Sequence, residues 1–315
     1  MKTIAELEQE IRDFINNPRK QYALLQRTAA WNMLCSCLDV IGDTELAVAA
    51  YSQTSEPENY GGKYLLIYGI LQSLFLQQDA VRNLCEALEL DYRPDPMLEE
   101  IREIRHDSVG HPTKRGGGQG RVFNFISRLS LSKSGFELMT TYPDRRTPLF
   151  RRINVSSLIE SQQQILHKAL SDVLEKLKKE EADHKAMFKS DRLQNNFPSV
   201  LHYYFEKVYD AIFGNKPAEF GAIHMKLIIE AIESFKLNLE KRDILKAYDS
   251  ITYLLGLLEY PLEQLSLYFS DPTASSLNDK SAYIFAFFIE KHIDDLKKIA
   301  EEIDEEYESS PDKAT

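Results

Sequence analysis

The sequence predicts a mainly α-helical protein. A helical bundle carries a small β-hairpin insertion and is followed by a second all-helical domain. Three observations lead there. Apolar residues recur at helical spacing over most of the chain, as Ile4, Leu7, Ile11 and Phe14 do at the start. Only between residues 122 and 155 does the texture turn to β-branched and aromatic residues broken by turn chemistry. Of 315 residues 43% are apolar and 28% charged, a balance that lets a globular chain bury real cores.

The elements follow in order. Residues 3–16 form a helix that Thr3 caps, with Glu6 three positions on as the partner of a capping box. Asn16, Asn17 and Pro18 break it. Residues 19–41 make a long helix, and Asp43 or Thr44 starts another that ends near Ser52. After a polar loop, residues 63–88 read as the most apolar helix, central to the bundle, interrupted by Gln77, Gln78 and Asp79. Two prolines close the next loop, and a helix runs from Met97 to about Ser108. The stretches 122–130 and 135–142 form the hairpin, with Ser132 to Gly135 as its turn, and 151–155 adds a short strand. Ser156 caps a helix reaching about Met187.

Residues 188–197 read as a linker. The second domain, 188–308, has helices near 198–213, 217–240, 242–256, 260–268 and 278–307, and 309–315 is a disordered tail. The first domain is residues 1–187.

Several function classes are excluded. No apolar run is long enough to span a bilayer, and the charged N-terminus lacks the apolar block of a secretory signal, so a cytoplasmic protein that does not enter membranes is expected. Cys35, Cys37 and Cys85 lie in apolar helical stretches and read as buried thiols; no cysteine–histidine spacing suits zinc. No metal or cofactor is implied. The glycine run 116–120 has no strand before it and no lysine–hydroxyl pair after it, so it is a connector and not a phosphate loop.

Chemistry concentrates in one place. Arg105, His106, Asp107 and His111 fall within seven residues at the end of a helix, ahead of Pro112, Lys114 and Arg115. Between Arg102 and Arg152 eleven Lys or Arg residues face four acids, a net of +7, which leaves −18 for the rest of a chain of net −11. A basic island in an acidic body is an anion site, not a general polycation. A histidine near neutral pKa can move a proton, and an arginine fork can hold phosphate oxygens. On an ideal α-helix residues six apart are about 240° around, so Arg105 and His111 need a distorted helix end to meet. Gly110 and Pro112 supply one. Arg102 and His106, four apart, are the alternative pair on one face.

An arginine followed after five residues by a histidine, Arg105 to His111, at the end of a bundle helix and next to the apolar helix around YLLIYGILQSLFLQQDAV, resembles the HEPN superfamily over roughly the first 115 residues. The resemblance implies a metal-independent endoribonuclease working as a homodimer, often within a defence or toxin system. It makes Arg105 and His111 catalytic, with His106 and Asp107 supporting and Lys114, Arg115 and Arg121 binding the RNA backbone. RNA is then the substrate, and the second domain offers a surface to a protein partner or antitoxin. The alternative is a HEPN-like dimerisation module that binds RNA or protein without cutting.

Overall fold

A computed structural model describes residues 2–115, 121–143, 146–271, 273 and 275–309. The chain is mainly helical with a small three-stranded antiparallel sheet inserted in it. It divides into two compact units. The first holds residues 1–15 and 24–177, the second 16–23 and 178–315. The division therefore falls inside a helix, ahead of the 187/188 boundary expected from composition, and the short segment 16–23 belongs with the C-terminal unit.

In the first unit α1 (Ile4–Ile15) starts with the anticipated capping box: Thr3 N–H donates to Glu6 Oε2 at 2.6 Å and Glu6 N–H to Thr3 Oγ1 at 3.2 Å. The expected long helix is two. α2 (Pro18–Leu25) ends, Arg27 leaves helical geometry, and α3 (Thr28–Gln53) begins. The break expected at Asp43 does not occur. Thr44 Oγ1 donates to the carbonyls of Val40 and Ile41, at 2.7 and 3.0 Å, so its hydroxyl is satisfied within the helix. α4 (Tyr60–Ala87) packs along α3 and buries Ile67, Leu71 and Leu74 against Leu34, Leu38 and Ile41. Each such side chain taken fully from water contributes about 1.5–3 kcal/mol. α5 (Pro96–Arg105) lies on α4 through Leu98, Ile101 and Ile104.

The insertion is β1 (Phe123–Ile126), β2 (Gly135–Thr141) and β3 (Leu149–Asn154), in that order in the sheet. The first expected strand is shorter than residues 122–130 because Arg128–Ser130 turn as a 3-10 segment. Phe136 pairs with Ile153 and both are buried, so one sheet face joins the helical core. Gly135 is required, since a Cβ there would strike the Ile153 carbonyl oxygen. Lys133 Nζ, beside the turn, donates to the carbonyls of Ser52 and Thr54, at 3.0 and 2.7 Å, and so covers the C-terminal end of α3. α6 (Val155–Phe188) is capped by Asn154, whose Oδ1 accepts from Ser157 N–H at 3.1 Å, in place of the expected Ser156.

The first unit's core also holds a polar chain. Gln78 Nε2 donates to Gln162 Oε1 at 2.7 Å. Gln162 Nε2 donates to the Leu74 carbonyl at 3.0 Å and to Gln77 Oε1 at 2.9 Å. Gln77 Nε2 ends the chain on Glu45 at 2.5 Å. The Leu74 carbonyl can only accept, so it sets the direction of every amide before the carboxylate.

In the second unit the expected linker is packed structure. Leu193 is fully buried and Phe197 nearly so, and the Asp304 carboxylate accepts from the N–H groups of Leu193 and Gln194, at 2.8 and 3.0 Å. The helices are α7 (Leu201–Ile212), α8 (Ala218–Lys241), α9 (Asp249–Ser270) and α10 (Asp279–Glu308). α9 replaces the two expected helices at 242–256 and 260–268, with Pro261 inside it. The segment 16–23 joins this unit through the Arg19–Glu181 and Lys20–Glu180 ion pairs on α6. Residues 310–315, most of the expected tail, lie outside the described residues. No helix among the described residues is long and apolar enough to cross a membrane.

Candidate functional site

The end of α5 widens. Residues His106–Gly110 form a π-helical turn, closed by the His111 N–H donating to the His106 carbonyl at 2.8 Å. Such turns recur at functional sites because they re-aim side chains without ending the helix. In an α-helix residues five apart stand about 140° apart. Here the rings of His106 and His111 lie parallel within 3°, their centres 6.3 Å apart. The helix end is thus distorted, as Gly110 led one to expect, but the hydrogen bonds of Arg105 go to Gln72 and His106 and not to His111.

Arg105 reaches over this turn toward α4. Its Nε and Nη2 donate to Gln72 Oε1 at 3.0 and 2.6 Å, and its Nη1 is 3.4 Å from His106 Nδ1. The Phe75 ring lies under the guanidinium, 4.5 Å from Cζ to ring centre, and meets His106 edge-on at 5.6 Å. Gly110 leaves room for this, since a Cβ there would lie 2.7 Å from Arg105 Nη1. Burial, then the Arg105 and Arg115 charges, hold the His106 imidazole below the usual histidine value of 6.5. His111 is exposed, not buried in its own bundle.

The other expected residues divide. Arg102 is held by Asp79 at 2.8 Å and also covers Phe75, so its ion pair is with the bundle, while its charge still helps to lower the His106 pKa. Asp107 supports the sheet, not the histidines: it accepts from Arg115 at 2.6 Å and from Asn124 at 3.1 Å. Arg115 is also paired with Glu103, so its charge is already met twice. Lys114 and Arg121 are exposed. Arg115 and Val122 bridge the flanks of the glycine run, by hydrogen bonds of 3.1 and 2.9 Å; residues 116–120 themselves lie outside the described residues. An open cavity of about 460 Å³ between the π turn and the sheet is walled by Asp107, Arg115, Leu138, Tyr142 and Arg151.

Gln72 and Phe75 escaped the sequence reading. Their signal in the sequence is a polar and an aromatic residue three apart on an otherwise apolar helix, weaker than the run Gln77, Gln78 and Asp79 that follows. Gln77 and Gln78 belong to the core chain and Asp79 to Arg102. Burial pushes the Cys37 and Cys85 thiols up to about 11, consistent with inert core groups, while Cys35 is part-exposed. Among the described residues no group of three or more His, Cys, Asp or Glu is placed to hold a metal ion. No family model matches the chain, and no curated protein or solved structure does either.

Proposed function

We propose that the chain is a metal-independent endoribonuclease of the HEPN kind. The observation that carries this reading is a widened helical turn that sets Arg105 against His106 and His106 parallel to His111, with His111 open to solvent. In the step these groups support, His111 takes the proton of an RNA 2′-hydroxyl. The 2′-oxygen bonds to phosphorus, the bond from phosphorus to the 5′-oxygen breaks, and the departing oxygen takes a proton from water. The product is a 2′,3′-cyclic phosphate and a 5′-hydroxyl. Arg105 holds phosphate oxygens as charge builds on them. Lys114 and Arg121 attract the backbone.

The reading includes a homodimer acting in the cytoplasm, in a defence or toxin setting, with a protein partner on the second unit. The exposed stripe of Leu65, Tyr68 and Leu76 on α4, the helix that carries Gln72, supports pairing of two copies near the site. One observation favours the non-catalytic alternative: Nε, Nη1 and Nη2 of Arg105 already have partners inside the chain. RNA cleavage in EDTA separates the two. Wild type is expected to cut and leave cyclic phosphate ends, and folded His111→Ala to lose at least about a hundredfold in rate. Cutting that survives in His111→Ala would remove that histidine from the mechanism. No cutting of several RNA classes by wild type would favour the binding module.

A further inference from the structure

Side chains alternate across a strand, so every second residue shares one face of a sheet. Phe136, Leu138 and Ile153 are buried and put one face of the inserted sheet on the core. The other face carries Phe125 of β1, Met139 of β2 and Phe150 of β3. The register sets these three in one cross-strand row, Phe125 paired with Met139 and Met139 with Phe150. Met139 is half-buried, but Phe125 is 52% exposed and Phe150 58%. Neighbouring strands lie about 4.8 Å apart, so the two rings stand about 10 Å apart with Met139 between them. Among the described residues neither ring has another ring or a cation against it.

One step along the same face stands Arg152, exposed and opposite Glu137 in the register. Among the described residues its guanidinium makes no ion pair or hydrogen bond. It lines an open polar hollow of about 350 Å³ with Ser130, Ser132 and Ser134, at the turn end of the sheet. Arg121, Arg128 and Arg146, all exposed, flank the strands in the chain. They belong to the segment of net charge +7 in a chain of net −11.

We propose that this outer face is a platform for a single-stranded nucleic acid: Phe125 and Phe150 each hold a base by stacking, and Arg152 holds a phosphate of the same strand. Every base has a π face, so exposed rings on a sheet bind unpaired bases of any sequence, and a duplex, whose bases are already stacked, offers none. The surplus of cations around the strands matches a polyanion. A protein partner fits less well. The face measures about 10–15 Å by about 20 Å, on the order of 300 Å². A stable protein complex covers about 800 Å² on each partner. The proposal deepens the ribonuclease reading, which makes the strand RNA, and rests on it for that choice alone.

The test is fluorescence anisotropy of full-length protein with a labelled 12-mer of 2′-O-methyl uridine, which has no free 2′-hydroxyl and cannot be cut by attack of the 2′-oxygen. The single strand is expected to bind, and the same strand annealed to its complement to bind more weakly. Phe125→Ala and Phe150→Ala should each weaken binding about tenfold with an unchanged salt dependence. Phe150→Tyr, which keeps a ring, should bind as wild type does, and Phe150→Leu, which keeps only apolar bulk, should not. Arg152→Ala should lower the slope of log affinity against log salt by about 0.7. All three side chains are exposed, so circular dichroism should show each variant folded. Failure of the single strand to bind, a duplex bound as tightly, Phe150→Leu binding as well as Phe150→Tyr, or wild-type affinity in the Phe125→Ala, Phe150→Ala double variant would each overturn the platform. A double variant that keeps its affinity but changes from dimer to monomer would assign the face to a second copy instead. A DNA strand bound where the 2′-O-methyl strand is not would overturn RNA as the ligand. Binding that depends on both rings in a protein that cuts no RNA keeps the platform and overturns the ribonuclease; cutting and binding untouched in the double variant does the reverse.

Discussion

Gly110 shows how much one missing methyl decides. A Cβ would lie 2.7 Å from Arg105 Nη1 and 3.3 Å from His106 Nδ1. Nη1 is the far end of a flexible side chain, so Gly110→Ala should fold and lose function. The guanidinium would turn away from Gln72, and cleavage should fall about a hundredfold. Unfolding in urea should show unchanged stability or a gain of up to about 1 kcal/mol, as alanine narrows the unfolded ensemble. Equal losses of activity and stability would mean that the glycine serves the π turn alone. The residue could be seen in the sequence as a helix breaker. That its small size serves a neighbouring arginine could not, because the contact depends on the widened turn that brings the two together.

At the scale of elements, the Gln78–Gln162–Gln77–Glu45 chain ties α3, α4 and α6 together within a mostly apolar core. Gln162→Leu would leave Gln78 Nε2 and Gln77 Oε1 without their partner at once, while the Leu74 carbonyl keeps its bond within α4. Buried polar groups left unpaired cost about 1–3 kcal/mol each, so a loss of about 3 kcal/mol is expected in denaturant titration. A loss below about 1 kcal/mol would show that water or a rotamer change closes the gap. The elements themselves were largely legible: the capping box at Thr3, the apolar α4 and the antiparallel β1–β2 pair all follow from local patterns. The errors arose where tertiary packing overrode local punctuation. Pro261 removes one helical hydrogen bond at a cost of about 3 kcal/mol, yet α9 continues, with Leu258, Pro261 and Leu265 buried on its inner face. Asp43 and Thr44 resemble a helix start, but α3 continues along α4. In the site, the motif residues were visible and their partner Gln72 was not. Nothing in a linear sequence says which α4 residue a helix-end arginine will meet.

At the scale of the whole molecule, two histidines in different units tie stability to pH. Burial and nearby arginines lower the pKa of His106 and of His184, whose Nε2 is 2.9 Å from the Tyr307 hydroxyl. The unfolded chain therefore takes up these protons first. The stabilisation is complete above the ordinary value of 6.5 and is lost as pH falls through the lowered folded values. Urea unfolding should give lower stability at acid pH than at neutral pH, and His106→Gln with His184→Gln should flatten that slope. A slope unchanged in the double variant would assign the acid sensitivity to carboxylates instead.

The placement of residues 16–23 in the second unit has a consequence for dissecting the chain. The backbone leaves the first unit after Ile15, supplies Arg19 and Lys20 to Glu181 and Glu180, and returns at Leu24. The second unit is thus assembled from two separate stretches of the gene, and no single cut releases it whole. A fragment beginning at residue 178 keeps two glutamates whose cations have gone with the other piece. A fragment ending at residue 177 carries a short helix cut off from what it was made to cover. Intact halves require a graft of residues 16–23 onto the C-terminal piece and a new, short join between Ile15 and Leu24.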